Sequence, residues 1–210
     1  MKRNELANER LTGQLEFLAE IDRLKTVLRK TYLIDRSRLE NSAEHSWHVA
    51  IWAILMLEHA NDPKPDLDRV VRLLLLHDLV EIDAGDTFAY DTAGYKDKEA
   101  REQAAADRLF GLLPKDQRDE WMGLWREFED GVTAEAIYAA ALDRLQPVFH
   151  NYRTGGASWK QNRIARSQVL VRLEPVREAS DALWALAQDL IRRSVEQGIL
   201  LDDQAEESEG

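Results

Sequence analysis

The stretch "LLLLHDLVEIDAGDT", residues 73 to 87, constrains this chain more than any other. Four leucines mark a helix that must be buried, yet the next residues are His77 and Asp78, with Glu81, Asp83 and Asp86 close behind. An imidazole and several carboxylates taken out of water cost several kcal/mol per uncompensated charge. Something in the fold must compensate them.

Apolar residues recur at helical spacing along nearly the whole chain. Phe17, Ile21, Leu24 and Leu28 step by four, three and four, which predicts an amphipathic helix from Gln14 to Lys30. A second helix is expected from Ser42, read as its N-cap, through "AEHSWHVAIWAILMLEHA" to the turn at "NDPKP". A third runs from Leu67 into "LLLLHDLVEI", and "DAGDTFAYDTAGY" then reads as a loop. Beyond it, a charged helix from Lys96 to Leu113 stops at Pro114, and Trp121, Leu124, Trp125 and Phe128 place an apolar stripe on the next. Thr133 opens a helix through "AEAIYAAALDRLQPVFHNY", which Pro147 should kink or end. After the loop "TGGASWK", helices over Arg163 to Val176 and Asp181 to Gln197 close the chain. No segment shows sustained period-two alternation. The expectation is an all-α fold without internal repeats, a single domain over residues 1–201 followed by a disordered acidic tail, 202–210.

The formal net charge of −11 opposes binding to a nucleic-acid polymer, whose affinity rests on a basic footprint. Small anions remain possible, because Arg23, Lys25, Arg29, Lys30, Arg36 and Arg38 cluster before the first histidine motif. The alternative for each is a solvated helix face. There is no cysteine, so any metal site must use nitrogen and oxygen donors. The longest apolar run, "VAIWAILML", is well short of a membrane span, and a soluble, cytoplasmic protein without a membrane partner is expected.

Five histidines are available. His77 and Asp78 are adjacent, so on an α-helix one ion could meet both only from the flank between them. His45 sits in "ENSAEHSWHVA", and Asp143 interrupts the alanine-rich "IYAAALDRLQP", where a carboxylate needs a partner. That partner could be Arg144 or another basic residue, and His77 alone could be a hydrogen-bonded core histidine. Together, two imidazoles and two carboxylates on three predicted helices offer four donors of the kind that bind Mn²⁺, Fe²⁺, Co²⁺, Ni²⁺ or Zn²⁺. His48 could support His45 or simply pack, and His59 and His150 are read as structural. Trp121, Trp125 and Trp184 are read as core or subunit contacts, and Trp47 and Tyr32 as residues that could stack on a base or pack.

The order His45, His77-Asp78, Asp143 resembles the HD superfamily of metal-dependent phosphohydrolases. "HDLVEIDAGD", "SAEHS" and the upstream arginine resemble the branch that contains bacterial 5′-deoxynucleotidases. The resemblance implies a helical, homodimeric enzyme that removes phosphate from small phosphomonoesters, nucleoside 5′-monophosphates above all, with one divalent metal ion (Mn, Co, Fe, Ni, Zn or Mg). It implies His45, His77, Asp78 and Asp143 as ligands, Glu81 as the carboxylate that handles the attacking water and Asp86 as a second acid/base group. Arg29 matches the phosphate-binding arginine, with Lys30 and Arg36 in contention because the segment before His45 is one residue longer. Two other readings are a nucleotide-binding regulator with a vestigial site and a dinuclear HD oxygenase. An intact Glu81 and Asp86 favour the hydrolase, which needs an acid/base pair that a binding module does not.

Overall fold

Alanine sets the centre of the molecule. In the computed structural model, which describes residues 2–203 and side chains from residue 8 onward, helix α7 (Ala134–Arg153) buries Ala136, Ala139, Ala140 and Ala141. Those short side chains let neighbours approach from several sides: α2 (Ser42–Met56), α3 (Leu67–Leu76), α6 (Lys115–Asp130), α10 (Glu174–Ala179) and α11 (Asp181–Glu196) all pack against it. Val70, Leu73 and Leu74 of α3 meet Leu142 and Leu145 of α7 in one core that also takes Phe17, Phe110 and Trp125. The remaining helices are α1 (Lys2–Ile21), α4 (Glu81–Ala84), α5 (Lys98–Phe110), α8 (Ala157–Asn162) and α9 (Arg166–Arg172). The all-α expectation holds, with one small exception.

That exception replaces the end of the first predicted helix. α1 ends at Ile21, a 3₁₀ turn covers Asp22–Thr26, and Val27 turns the backbone extended into strand β1 (Leu28–Tyr32). β1 pairs antiparallel with β2 (Leu39–Asn41), Leu28 opposite Asn41 and Tyr32 opposite Leu39. Leu28 and Lys30 face outward while Arg29 and Thr31 face inward, so the strand alternates as a half-buried ribbon should. The alternation buries charge rather than apolar side chains, and the pattern of hydrophobicity therefore missed it.

Other boundaries move for identifiable reasons. Asn41, not Ser42, caps α2: its side chain accepts from the Glu44 amide at 2.9 Å, and Glu44 returns the bond to the Asn41 amide at 3.2 Å. α3 tightens into a 3₁₀ turn over His77–Val80 before α4. The predicted 163–176 helix is two, α9 and α10, because Pro175 opens α10 and cannot donate to a preceding turn. "TGGASWK" holds the short helix α8. Pro147 does not end α7, which continues to Arg153. Asp202 and Asp203 engage α9, the latter accepting from the Ser167 amide at 3.1 Å, whereas Met1 and the rest of the predicted tail, 204–210, lie outside the described residues.

Candidate active site

The 3₁₀ turn at His77–Val80 is what aims the central motif. A residue there advances about 120° rather than 100°, so His77 and Asp78 splay apart by a third of a turn. His77 Nδ1 donates to the Leu74 carbonyl at 2.8 Å, which leaves Nε2 facing the cavity without a hydrogen-bond partner. Its ring lies 4.6 Å from that of Phe128, so the imidazole is held on two sides. On α2, the fully buried His45 places Nε2 2.8 Å from Asp143 Oδ1, and its Nδ1 faces Glu40 Oε2 at 3.5 Å. Asp143 reaches both rings, with Oδ1 3.7 Å from His77 Nε2. One turn further along α7, Pro147 withholds the amide hydrogen that the Asp143 carbonyl would accept in an unbroken helix.

One donor atom from each of His45, His77 and Asp143 lies within 4.8 Å of the others. Asp78 joins from the side, Oδ1 3.0 Å from His77 Nε2 and Oδ2 accepting from Arg29 Nη1 at 2.8 Å. The four residues singled out as ligands therefore converge. Two imidazoles, two carboxylates and an unbonded buried nitrogen suit a borderline divalent cation, and the residues present fit one. Glu40, which sequence reasoning passed over, stands behind His45 as a buried carboxylate 3.5 Å from Nδ1. Arg144 is not the partner of Asp143, since no ion pair joins them among the described residues.

Arg29 enters this group from β1. Besides Asp78, its guanidinium lies 3.9 Å from carboxylate oxygens of Glu40, Asp86 and Asp143, and its side chain is 11% exposed. Lys30 borders the same cavity from the outward face of the strand, while Arg36 sits in the hairpin turn at φ +64°, away from it. Glu81, buried on α4, accepts from the Ser42 hydroxyl at 2.6 Å through Oε2. That bond explains why Ser42 does not cap its own helix.

The electrostatics follow from burial set against this crowd. Burial pushes Asp78 up, but the charges of His77 and Arg29 pull it down to about 2. Burial would likewise raise Asp143, yet the hydrogen bond with His45 and the nearby charge of His77 hold it well below the usual carboxylate range. Burial lowers both histidines, and the neighbouring carboxylates overcome it so that each ends above the ordinary imidazole value. Glu81 moves the other way: burial and the Asp78 charge raise it well above a normal glutamic acid, with Arg29 opposing. Asp86 is raised by burial, again against Arg29. Carboxylates whose environments push their pKa values apart are suited to different acid and base roles.

These groups open on a cavity of about 470 Å³. Its far wall carries Phe88, Tyr90 and Tyr95 from the loop after α4, Trp159 from α8, and Arg144 and Arg172. Trp47 and Tyr32 do not border it: Trp47 is 62% exposed on α2, and Tyr32 donates to Gln161 at 3.3 Å. The aromatic residues of "DTFAYDTAGY" were the available signal, since tyrosine and phenylalanine in an Asp- and Gly-rich loop just after the motif have no core helix to join.

A second group of ligand-type residues, Glu40, His48 and His150, lies behind His45. The chain occupies its centre itself: the Gln146 amide nitrogen is 2.9 Å from Glu40 Oε1, 3.1 Å from His150 Nε2 and 3.2 Å from His48 Nδ1. Trp52 donates to His48 Nε2 at 3.1 Å, so the lone pair of that nitrogen is taken as well. Burial lowers the pKa of both His48 and His150, which keeps them neutral. This is a hydrogen-bonded core cluster. His59 lies outside this cluster, and its carbonyl accepts from the Ser180 hydroxyl.

A helical chain that assembles two histidines and two aspartates from three helices around one point has the architecture of an HD domain, and the HD domain family model matches residues 21–184. The chain belongs to that family. It is similar to the 5′-deoxynucleotidases HDDC2 of Homo sapiens, 33% identical over 64% of this chain and 64% of that protein, and of Xenopus laevis, 32% identical over 64% and 65%. The aligned part thus spans just under two thirds of those relatives. A solved structure from Magnetospirillum magnetotacticum MS-1, described as a predicted metal-dependent phosphohydrolase, superposes with a TM-score of 0.88 at 50% identity, covering 92% of this chain and 96% of that one.

Proposed function

We propose that this chain is a metal-dependent phosphohydrolase that releases phosphate from small phosphomonoesters, chiefly (deoxy)nucleoside 5′-monophosphates. The observation that carries the reading is the convergence of His45, His77, Asp78 and Asp143 with one buried arginine and two carboxylates of raised pKa in a single cavity. The relatives named 5′-deoxynucleotidase support the nucleotide.

His45, His77, Asp78 and Asp143 would hold one divalent ion, of which Mn²⁺, Co²⁺, Fe²⁺, Ni²⁺, Zn²⁺ and Mg²⁺ are candidates. Bound there, such an ion supplies a Lewis acid that makes water a better nucleophile and screens phosphate charge. Arg29 holds the phosphoryl oxygens with the part of its guanidinium that Asp78 does not occupy. Ser42 fixes Glu81 through Oε2 and leaves Oε1 to accept the proton of the attacking water. As the new oxygen–phosphorus bond forms, the ester P–O bond breaks and its electron pair stays with the sugar oxygen. Asp86, whose pKa burial raises, gives that oxygen its proton.

The test is phosphate release from a panel of nucleotides and simple phosphomonoesters after chelator treatment and re-addition of single metals, in the wild type and in Glu81→Gln. The variant should lose two to four orders of magnitude in kcat, about the range for a general acid or base, with substrate affinity kept. Near-wild-type turnover in Glu81→Gln would refute its role. We further infer a cytoplasmic homodimer, since nucleotides are cytoplasmic metabolites and α2 leaves Trp47, Ile51, Ile54 and Leu55 exposed along one side. The tryptophans of α6 and α11 do not serve as that surface, because Trp121, Trp125 and Trp184 pack on the core. Light scattering that finds only monomer at micromolar concentration would remove the dimer. Among the described residues no helix is long and apolar enough to cross a membrane.

A further inference from the structure

The cavity holds two arginines that the proposed reaction does not use. Arg144 follows Asp143 on α7, and Arg172 ends α9; both border the cavity, and both are half-buried. Neither has a carboxylate oxygen within 4.0 Å among the described residues. Arg172 donates to Tyr95 Oη at 3.2 Å, and the Arg144 side chain makes no hydrogen bond among the described residues. Several arginines elsewhere are paired. Arg10, Arg38, Arg69, Arg108 and Arg192, all more exposed, each sit on a carboxylate. Lys98, a further cation of the cavity, is taken up by Glu102 at 2.7 Å and Glu129 at 3.9 Å.

A half-buried guanidinium with no partner, next to a second one, is costly unless something in the cavity pays for it. A neutral base edge would occupy one fork of hydrogen bonds and leave the repulsion between the two arginines in place. An anion with several oxygens relieves both, because two planar guanidiniums can grip it together. We propose that Arg144 and Arg172 form a second phosphate subsite, so that the favoured substrate is a nucleotide carrying a second phosphate besides the one that Arg29 meets. The proposal rests on the hydrolase reading for the role of the first phosphate. The second phosphate could sit on the 3′ carbon of the sugar or extend the 5′ chain as a diphosphate, which share the recognising chemistry.

The experiment measures binding, so that it stands apart from turnover. Mn²⁺-loaded Glu81→Gln protein is titrated with deoxyadenosine 5′-monophosphate, the 3′,5′-bisphosphate and the 5′-diphosphate, and the same three are measured with Arg144→Gln or Arg172→Gln added. At least one doubly phosphorylated nucleotide should bind ten times more tightly than the monophosphate or better, and the ratio should fall to within about twofold when either arginine is replaced. Which of the two gains identifies where the second phosphate lies. The proposal is overturned if neither binds more tightly than the monophosphate in the Glu81→Gln protein, a comparison that needs neither arginine variant to fold, or if the advantage survives both replacements. Phosphate release by the wild type from the same compounds is assayed in parallel. Absence of release from all three would defeat the hydrolase reading while the binding ratios still decide the subsite.

Discussion

Arg29 is the residue on which the stability of the metal-free site turns, and its replacement should show a distinctive dependence on pH. In Arg29→Met an apolar side chain of similar length replaces a guanidinium that lies 2.8 Å from Asp78 and 3.9 Å from each of Glu40, Asp86 and Asp143. At an effective dielectric of about 20, the attraction is about 6 kcal/mol across the shorter distance and about 4 kcal/mol across each longer one, partly offset by the several kcal/mol needed to desolvate the cation. The variant does not bear all of that loss, because the folded state can take up a proton instead. Protonating Asp86 from its ordinary pKa of 3.8 costs about 1.4 kcal/mol per pH unit above that value, which is about 5 kcal/mol at pH 7.5 and about 2 kcal/mol at pH 5.5.

The sign follows directly. Removing the cation raises the carboxylate pKa values of the folded variant, so its folded state binds a proton that the unfolded chain does not, and its deficit shrinks as pH falls. Urea unfolding of chelator-treated protein, followed by circular dichroism, should show a loss of about 3–5 kcal/mol at pH 7.5 and about 1–2 kcal/mol at pH 5.5. Excess Mn²⁺ at pH 7.5 should recover part of the difference, since a ligand of the folded state stabilises by mass action. An equal loss at both pH values would show that packing, not charge, is what Arg29 contributes.

Three further outcomes follow from the same geometry. His77→Ala and Asp78→Ala should each abolish tight metal binding while leaving a helical protein, because each removes one of only four converging donors; elemental analysis that finds full occupancy in both variants would sink the ligand assignment. His150, whose pKa is lowered chiefly by burial, stays neutral in the folded state, so below about pH 6.5 the unfolded chain binds a proton that the folded one does not, and stability falls as pH falls by at most about 1.4 kcal/mol per unit. His150→Gln should therefore flatten the acid limb of a melting-temperature profile between pH 7 and pH 5, and an unchanged slope would count against it.

Much of this molecule was legible in the chain because helical periodicity and the HD motif are both local signals. α3, α6 and α7 follow from apolar spacing, and Thr133 caps α7 as its side chain suggests. The converging ligands were legible as residue types, since Asp143 in an alanine run has no cheap structural excuse. The hairpin was not, because the residues that β1 turns inward are Arg29 and Thr31, and a charged inward face carries no hydrophobic alternation. Glu40 and Gln146 were invisible for a related reason. A buried glutamate two residues before a helix reads as surface until His45 and His48 are folded over it. The aromatic wall of the cavity depends on where α8 and the loop after α4 return, which no spacing within either segment encodes.

The tension in "LLLLHD" is resolved by cations from three sources, and the sources compete. In the metal-free site Asp143 is compensated by the protons on His45 and His77, and Asp78 by His77 and Arg29. The raised imidazole pKa values therefore express the same carboxylate field that would bind a divalent ion. A metal entering this site must displace those protons, so its apparent affinity weakens wherever the imidazoles are charged. Arg29 cannot be displaced in this way, because its charge is permanent and its strand is paired through Leu28 and Tyr32. The site thus divides its compensation between an exchangeable part, carried by histidine protons or metal, and a fixed part. The fixed part is the one placed to meet a phosphate, whose own negative charge would otherwise be repelled by every carboxylate around it.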